Sequence, residues 1–296
     1  MQIGLLMALL PLKDNNTITN ISFQYVTVSI ICACIMVFLW QLSLGDENRR
    51  YIVSLGTIPT VLLGARDLNP ELILISPYLT MMTSLFLHGG WMHLTFNMLF
   101  LWVFGDNVED AMGHFRYILF YLICGVLATF SHVLMESGSS TPLIGASGAI
   151  SGVLGAYIIL HPKARVLVLF MNIIPLRLPA VFVLGGWIGL QFLSLGSETN
   201  TAWWAHIGGF MAGMVLVVPF RQKFVPLFDG VAWFRPSVPK FGALQKRKRS
   251  GSIFPKTVRN SSSSTSPGGP WGKPSGLQRN LLKPKDLPSI KKQPKS

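Results

Sequence analysis

Charge is what this sequence has least of: 12% of its 296 residues are Asp, Glu, Lys or Arg, while half are apolar. Ordinary soluble domains carry about 25% charged residues, so this composition is that of a bilayer protein. The net charge of +13 does not argue otherwise, because residues 1–220 hold 8 Lys/Arg against 10 Asp/Glu and residues 221–296 hold 17 against 2. The basic excess belongs to a tail, and apolar segments without a basic face exclude a nucleic-acid enzyme for the body of the chain. Cysteine is scarce as well. Cys32, Cys34 and Cys124 all fall in apolar runs with no CxxC spacing, which excludes a disulfide framework and a cysteine zinc site and leaves them as core filler. There is no HExxH motif for a zinc protease. The first twelve residues are apolar but lack a basic leader and an A-x-A site, so a cleaved signal peptide is not expected, and Met7 is an alternative start.

Six apolar segments are long enough, or nearly so, for a bilayer crossing of about 20 helical residues. They are Tyr25 to Leu44, Phe86 to Gly105, Phe115 to Met135, Ala146 to His161, Pro179 to Leu195 and Trp203 to Phe220. Apart from Arg116 at one edge, none contains an ionisable Asp, Glu, Lys or Arg, and this absence excludes a proton-coupled transporter, which needs an intramembrane carboxylate. The expected fold is an all-α membrane protein, a six-transmembrane-helix bundle over residues 25–220, with an N-terminal segment over 1–24 and a basic, disordered tail over 221–296. An even number of crossings puts both termini on one side. The cluster Gln245 to Arg249, with Lys163 and Arg165, makes that side cytoplasmic under the positive-inside rule, whereas Asp106, Glu109 and Asp110 count as neutral evidence. The tail, with Ser261 to Ser264 and Lys-rich flanks, is solvated or drawn to anionic lipid headgroups.

Segment four spans about 24 Å against a hydrocarbon core of about 30 Å. Its outer end, Leu143 to Gly152, must therefore begin below the outer surface. Non-helical backbone at that depth is tolerated only inside protein or beside water, so an outward-facing cavity is expected. On this topology His93 and Asn97, four residues apart on segment two, lie at the same depth as Ser147 at the start of segment four and His206 near the start of segment six. Intramembrane polar groups are costly and indicate function. A hydroxyl is a poor nucleophile without a base, which neutral His206 would provide; backbone amides around Ser147 with Asn97 and His93 would stabilise an oxyanion. No carboxylate is available to orient His206, so packing or a hydroxyl is expected to do so. The chemistry needs no cofactor and no metal, although His88, His93 and His206 are the residues a zinc reading would use. His88 and His132 otherwise read as structural, His114 and His161 as interface residues, and Trp91, Trp102, Trp203 and Trp204 as anchors or packing.

Gly148 and Gly152 form one GxxxG and Gly209 and Gly213 another, a spacing that allows close helix approach but is common in any membrane bundle. Together, HGGWMHLTFNMLFLWVFGDNVED (His88 to Asp110), GASGAISG (Gly145 to Gly152) and AHIGGFMAG (Ala205 to Gly213) resemble the rhomboid family of intramembrane serine proteases. The resemblance covers residues 25–220. It implies Ser147 as nucleophile, His206 as base, His93 and Asn97 as oxyanion donors, and Gly209 as the small residue against which Ser147 packs; Gly145, Gly148, Gly152 and Gly213 complete the packing near the site. Two departures stand out. Ser76 to Ser84 replaces the Trp-Arg of many members in the loop before segment two, and Ser151 stands where some members stack an aromatic ring on the histidine.

The resemblance implies a serine endopeptidase whose partners are transmembrane-protein substrates and membrane lipids, with no nucleic acid. An inactive rhomboid-like protein that routes client helices is the alternative, and its signature would be loss of Ser147 or His206. A prokaryotic cell (inner) membrane is the expected setting. The oligomeric state does not follow from sequence.

Overall fold

The computed structural model describes residues 9–171, 173–195 and 202–229. The Met7 start and the tail from residue 230 onward, with its basic cluster, lie outside the described residues. Long helices form over Tyr25–Ser43 (α1), Trp91–Met112 (α2), His114–Met135 (α3), Ser147–Leu160 (α4), Ala180–Leu193 (α5) and Trp203–Phe220 (α6). α1, α3 and α6 are each long and apolar enough to cross a membrane. α2 joins the short helices of residues 70–86 across an 80° bend as a fourth candidate, and α4 and α5 are shorter, with 14 residues each.

The chain is a membrane protein that is apolar outside as well as within. α4 is buried along most of its length, against a core in which Phe104, Tyr117, Phe120, Tyr121 and Tyr157 are closed off. The outer faces of the surrounding helices instead show Met36, Leu39, Leu127, Leu134 and Val215. Water would not tolerate that surface, but lipid is as apolar as the side chains themselves.

α2 starts at Trp91 rather than Phe86 and runs past its apolar stretch to Met112. The reason is that its carboxylates have partners. Fully buried Glu109 accepts hydrogen bonds from the backbone N–H groups of Val26 and Thr27 and from the Thr27 hydroxyl. It thereby satisfies the open N-terminal turn of α1, whose own N-cap Gln24 makes no side-chain cap. Asp110 does the same for the backbone of Thr19, Asn20 and Ile21. These residues carry no topological information by charge counting, yet they clamp residues 19–27 to the end of α2. Glu109→Ala leaves the Val26 and Thr27 donors without their charged acceptor, and is expected to destabilise the protein by about 3 kcal/mol. Thermal unfolding in detergent checks this, and an unchanged midpoint would show that water replaces the carboxylate at no cost.

The all-helical expectation omitted one element. Leu9–Asp14 (β1), Arg165–Phe170 (β2) and Ile174–Pro179 (β3) form an antiparallel sheet in the order β1-β2-β3. Six-residue strands escape a search for helix-length apolar runs, and β1 finds its partner only across about half of the chain. Val166 and Val168 alternate in burial with their neighbours, but the run Val166–Phe170 is apolar throughout, so the sequence itself shows no period-2 alternation there. β1 ends at buried Asp14, which accepts from Asn107 Nδ2 and from the Tyr157 hydroxyl on α4. Burial raises the Asp14 carboxyl above its ordinary pKa, and the Tyr157 hydrogen bond opposes that rise.

At the other end of the helices, residues 45–86 form a chain of short helices. Thr57 and Leu143 exchange backbone hydrogen bonds, the Thr57 hydroxyl bonds that of Ser84, and the Thr83 hydroxyl bonds Leu55 O. This is how the loop lacking Trp-Arg is anchored. After α6 the chain turns back, with Gln222 N on Ala111 O and Phe228 N on Ile159 O, and with Val225 buried.

Candidate functional site

The approach to α4 is set by Gly145, whose φ of +120° is one that residues with a side chain rarely adopt, and whose N–H donates to Ser84 O at 2.8 Å. α4 then begins directly at Ser147, with no side-chain cap at Ala146. Glycines decide what lies opposite. A Cβ on Gly209 would collide with the carbonyl of Gly148, and one on Gly213 with the carbonyl of Gly152, so α4 and α6 touch backbone to backbone.

That contact brings His206, almost one turn before Gly209, onto Ser147: the distance from Nε2 to Oγ is 2.9 Å. His206 is buried, and its other nitrogen, Nδ1, lies 2.8 Å from Oε1 of Gln191 on α5. Gln191 is wholly buried and donates from its own Nε2 to Trp187 O, 3.2 Å away. Aromatic neighbours complete the setting. The Trp187 ring is tilted 38° to the imidazole at 5.8 Å, and Trp203 meets it edge-on at 6.2 Å. Ser151, at the position where some rhomboids carry an aromatic ring, donates back to Ser147 O.

His93 and Asn97 reach the same place from α2. An added Cβ on Gly145 would strike His93 Nε2 and come within 3.8 Å of Asn97 Nδ2, so both side chains face the backbone just before Ser147. Their proton states follow from their partners. Gly89 N–H donates to His93 Nδ1, which leaves the proton of a neutral ring on Nε2, toward the site. Asn97 Nδ2 is buried with no hydrogen-bond partner among the described residues. Both nitrogens therefore face the approach to the hydroxyl, Asn97 Nδ2 with no acceptor among the described residues.

The remaining histidines separate from this group. His88 is clamped through its backbone by Gln41, and its Nδ1 sits 3.1 Å from Phe86 O; its ring packs edge-on against His93 at 5.2 Å. Since Ser147 and Gln191 occupy both nitrogens of His206, this arrangement leaves neither free for the zinc reading. His132 is half-buried on α3, His114 bonds Glu109 at 2.6 Å, and His161 packs on Tyr157.

Gln191 and Trp187 were not anticipated from sequence, where packing or a hydroxyl was expected to orient His206. A signal existed: Gln191 is the lone amide in the apolar stretch Ala180–Leu193. It lies in the last turn of α5, within reach of His206.

The Rhomboid domain family matches residues 76–223. The chain is 27% identical over 203 residues to the rhomboid protease GluP of Bacillus subtilis, covering 69% of this chain and 36% of that protein. It is 33% identical over 153 residues to the mitochondrial presenilin-associated rhomboid-like protein of Bos taurus, covering 50% and 36%. RHOMBOID-like protein 5 of Arabidopsis thaliana matches at 31% over 144 residues, 46% of this chain and 42% of that one. The chain thus spans well under half the length of these three relatives. With the matched region reaching from the loop before α2 through the end of α6, the chain belongs to the rhomboid family.

Proposed function

We propose that this protein is an intramembrane serine endopeptidase that hydrolyses peptide bonds in or near the transmembrane helices of its substrates. The observation that carries the reading is the 2.9 Å contact between Ser147 Oγ and His206 Nε2, with the donors of His93 and Asn97 beside it. In the proposed reaction Ser147 Oγ attacks the scissile carbonyl while its proton passes to His206 Nε2. The carbonyl electron pair moves onto oxygen, where His93 Nε2–H, Asn97 Nδ2–H and the free N–H groups at the start of α4 would receive it. Collapse expels the amine, which takes the proton from His206, and water then repeats the sequence on the acyl-enzyme.

The same reading takes all six helices as membrane spans. α4, at about 21 Å, is too short to reach both surfaces, and this supports a cavity above Ser147 through which water and substrate reach the hydroxyl. The distribution of Lys and Arg supports cytoplasmic termini and a cavity open to the opposite side. A prokaryotic cell membrane fits the bacterial relative, whereas the presenilin-associated relatives are named mitochondrial; the chemistry proposed is the same in either bilayer. Transmembrane proteins are then the substrates, lipids the solvent.

The test is to treat the full chain in detergent with a fluorophosphonate and to map the labelled peptide. Labelling at Ser147, and its absence in His206→Ala, is expected. An unlabelled wild type would favour the alternative, a rhomboid-like protein that binds client helices without cutting them.

A further inference from the structure

Ser147 and His206 leave one question of chemistry open, namely which imidazole nitrogen carries the proton. A neutral imidazole has two tautomers, and only the one with its proton on Nδ1 presents a lone pair at Nε2 to the serine. In the other, the ring would donate to Ser147 Oγ and could not accept from it. Serine hydrolases commonly settle this with a carboxylate behind the histidine. No Asp, Glu, Lys or Arg occurs on α4, α5 or α6. The titratable groups facing His206 are His93 from α2 and His132 from α3.

We propose that Gln191 is the positioning residue of this site, an amide that sets the tautomer of His206 and so prepares it to act as base. The inference rests on the Ser147–His206 reading above. Its support is a closed set of hydrogen bonds. Gln191 Nε2 donates to Trp187 O, one turn earlier on α5, so the amide oxygen is the end that faces Nδ1. A carbonyl oxygen only accepts, so Nδ1 must donate, and the lone pair falls on Nε2, 2.9 Å from Ser147 Oγ. Gln191 is wholly buried in an otherwise apolar helix, where an amide without partners would be costly; the two bonds, one to its own helix and one to His206, satisfy it. The amide also differs from a carboxylate in one respect that can be measured. It orients the ring without adding a charge, so the protonated imidazole gains only a dipole as its partner.

The test compares Gln191→Leu and Gln191→Glu with wild type, using the purified full chain, a transmembrane peptide substrate and the fluorophosphonate. Gln191→Leu is expected to lower kcat by about 10- to 100-fold, with KM changed by less than about threefold and Ser147 labelling slowed in parallel. Gln191→Glu restores an acceptor, so it should recover most of kcat and move the acid limb of the pH profile to higher pH, because a buried carboxylate favours the imidazolium. A residue that merely filled space would tolerate Leu and give no such displacement. Full activity in Gln191→Leu overturns the proposal. Should that variant not fold, nitrogen NMR of histidine-labelled wild type decides the matter: a proton on Nδ1 of His206 supports the assignment, and one on Nε2 overturns it. Failure here is distinguishable from failure of the dyad itself, because a wild type that labels at Ser147 while Gln191→Leu labels equally fast refutes only the role of Gln191.

Discussion

Ser147→Ala and His206→Ala are each expected to reduce cleavage of a transmembrane substrate by about four orders of magnitude or more, equivalent to roughly 5.5 kcal/mol of lost transition-state stabilisation. The two losses should be nearly equal and should not add in the double variant, because the hydroxyl and the imidazole form one proton-transfer unit held at 2.9 Å. Both variants should stay folded. Ser147→Ala removes one oxygen at a helix start, and His206→Ala leaves Gln191 as the group that must find a new partner. Thermal midpoints within a few degrees of wild type, with cleavage undetectable by gel or mass spectrometry, make up the expected result. Substantial cleavage by either purified variant, with the site of cutting unchanged, would remove Ser147 and His206 from the mechanism.

Gly209→Val should lower activity by about 100-fold or more and be more damaging to the fold than either of those variants. The added atoms would meet the carbonyl of Gly148, which is backbone and cannot rotate away, so α4 and α6 must separate. A separation of about 1 Å already costs on the order of 100-fold in rate when it misplaces reacting groups. Here it would act directly on the pair, because Ser147 and His206 lie on the two helices being pushed apart. Overpacking adds a stability loss of about 1–3 kcal/mol. Gly185→Ala provides the contrast: a Cβ there has no atom within 4 Å, so activity and thermal midpoint should be unchanged or slightly improved. Equal behaviour of the two variants, measured as cleavage rate and unfolding temperature in the same detergent, would show that glycine at 209 is not what brings the helices together.

Local sequence determined much of this protein. Long runs of apolar residues without charge pointed to helices, because a chain that must satisfy its own backbone in lipid has few other choices, and three of those helices are long and apolar enough to cross a membrane. Motif and helix spacing singled out Ser147, His206, His93 and Asn97, which the fold brings to one place, and the glycine spacing marked the faces that meet. Tertiary structure decided what depends on residues far apart in the chain. β1 exists because β2 offers it an edge, and six residues carry too little periodic signal to announce that pairing. Glu109 and Asp110 looked like loop charges, but their role is to cap backbone from residues 19–27, which no count of charges reveals. Gln191 was visible as a lone amide, yet whether it faced lipid, another helix or His206 depended on the rotation of α5 about its axis. An almost uniformly apolar helix does not encode that rotation in its own sequence; only packing against its neighbours can choose it.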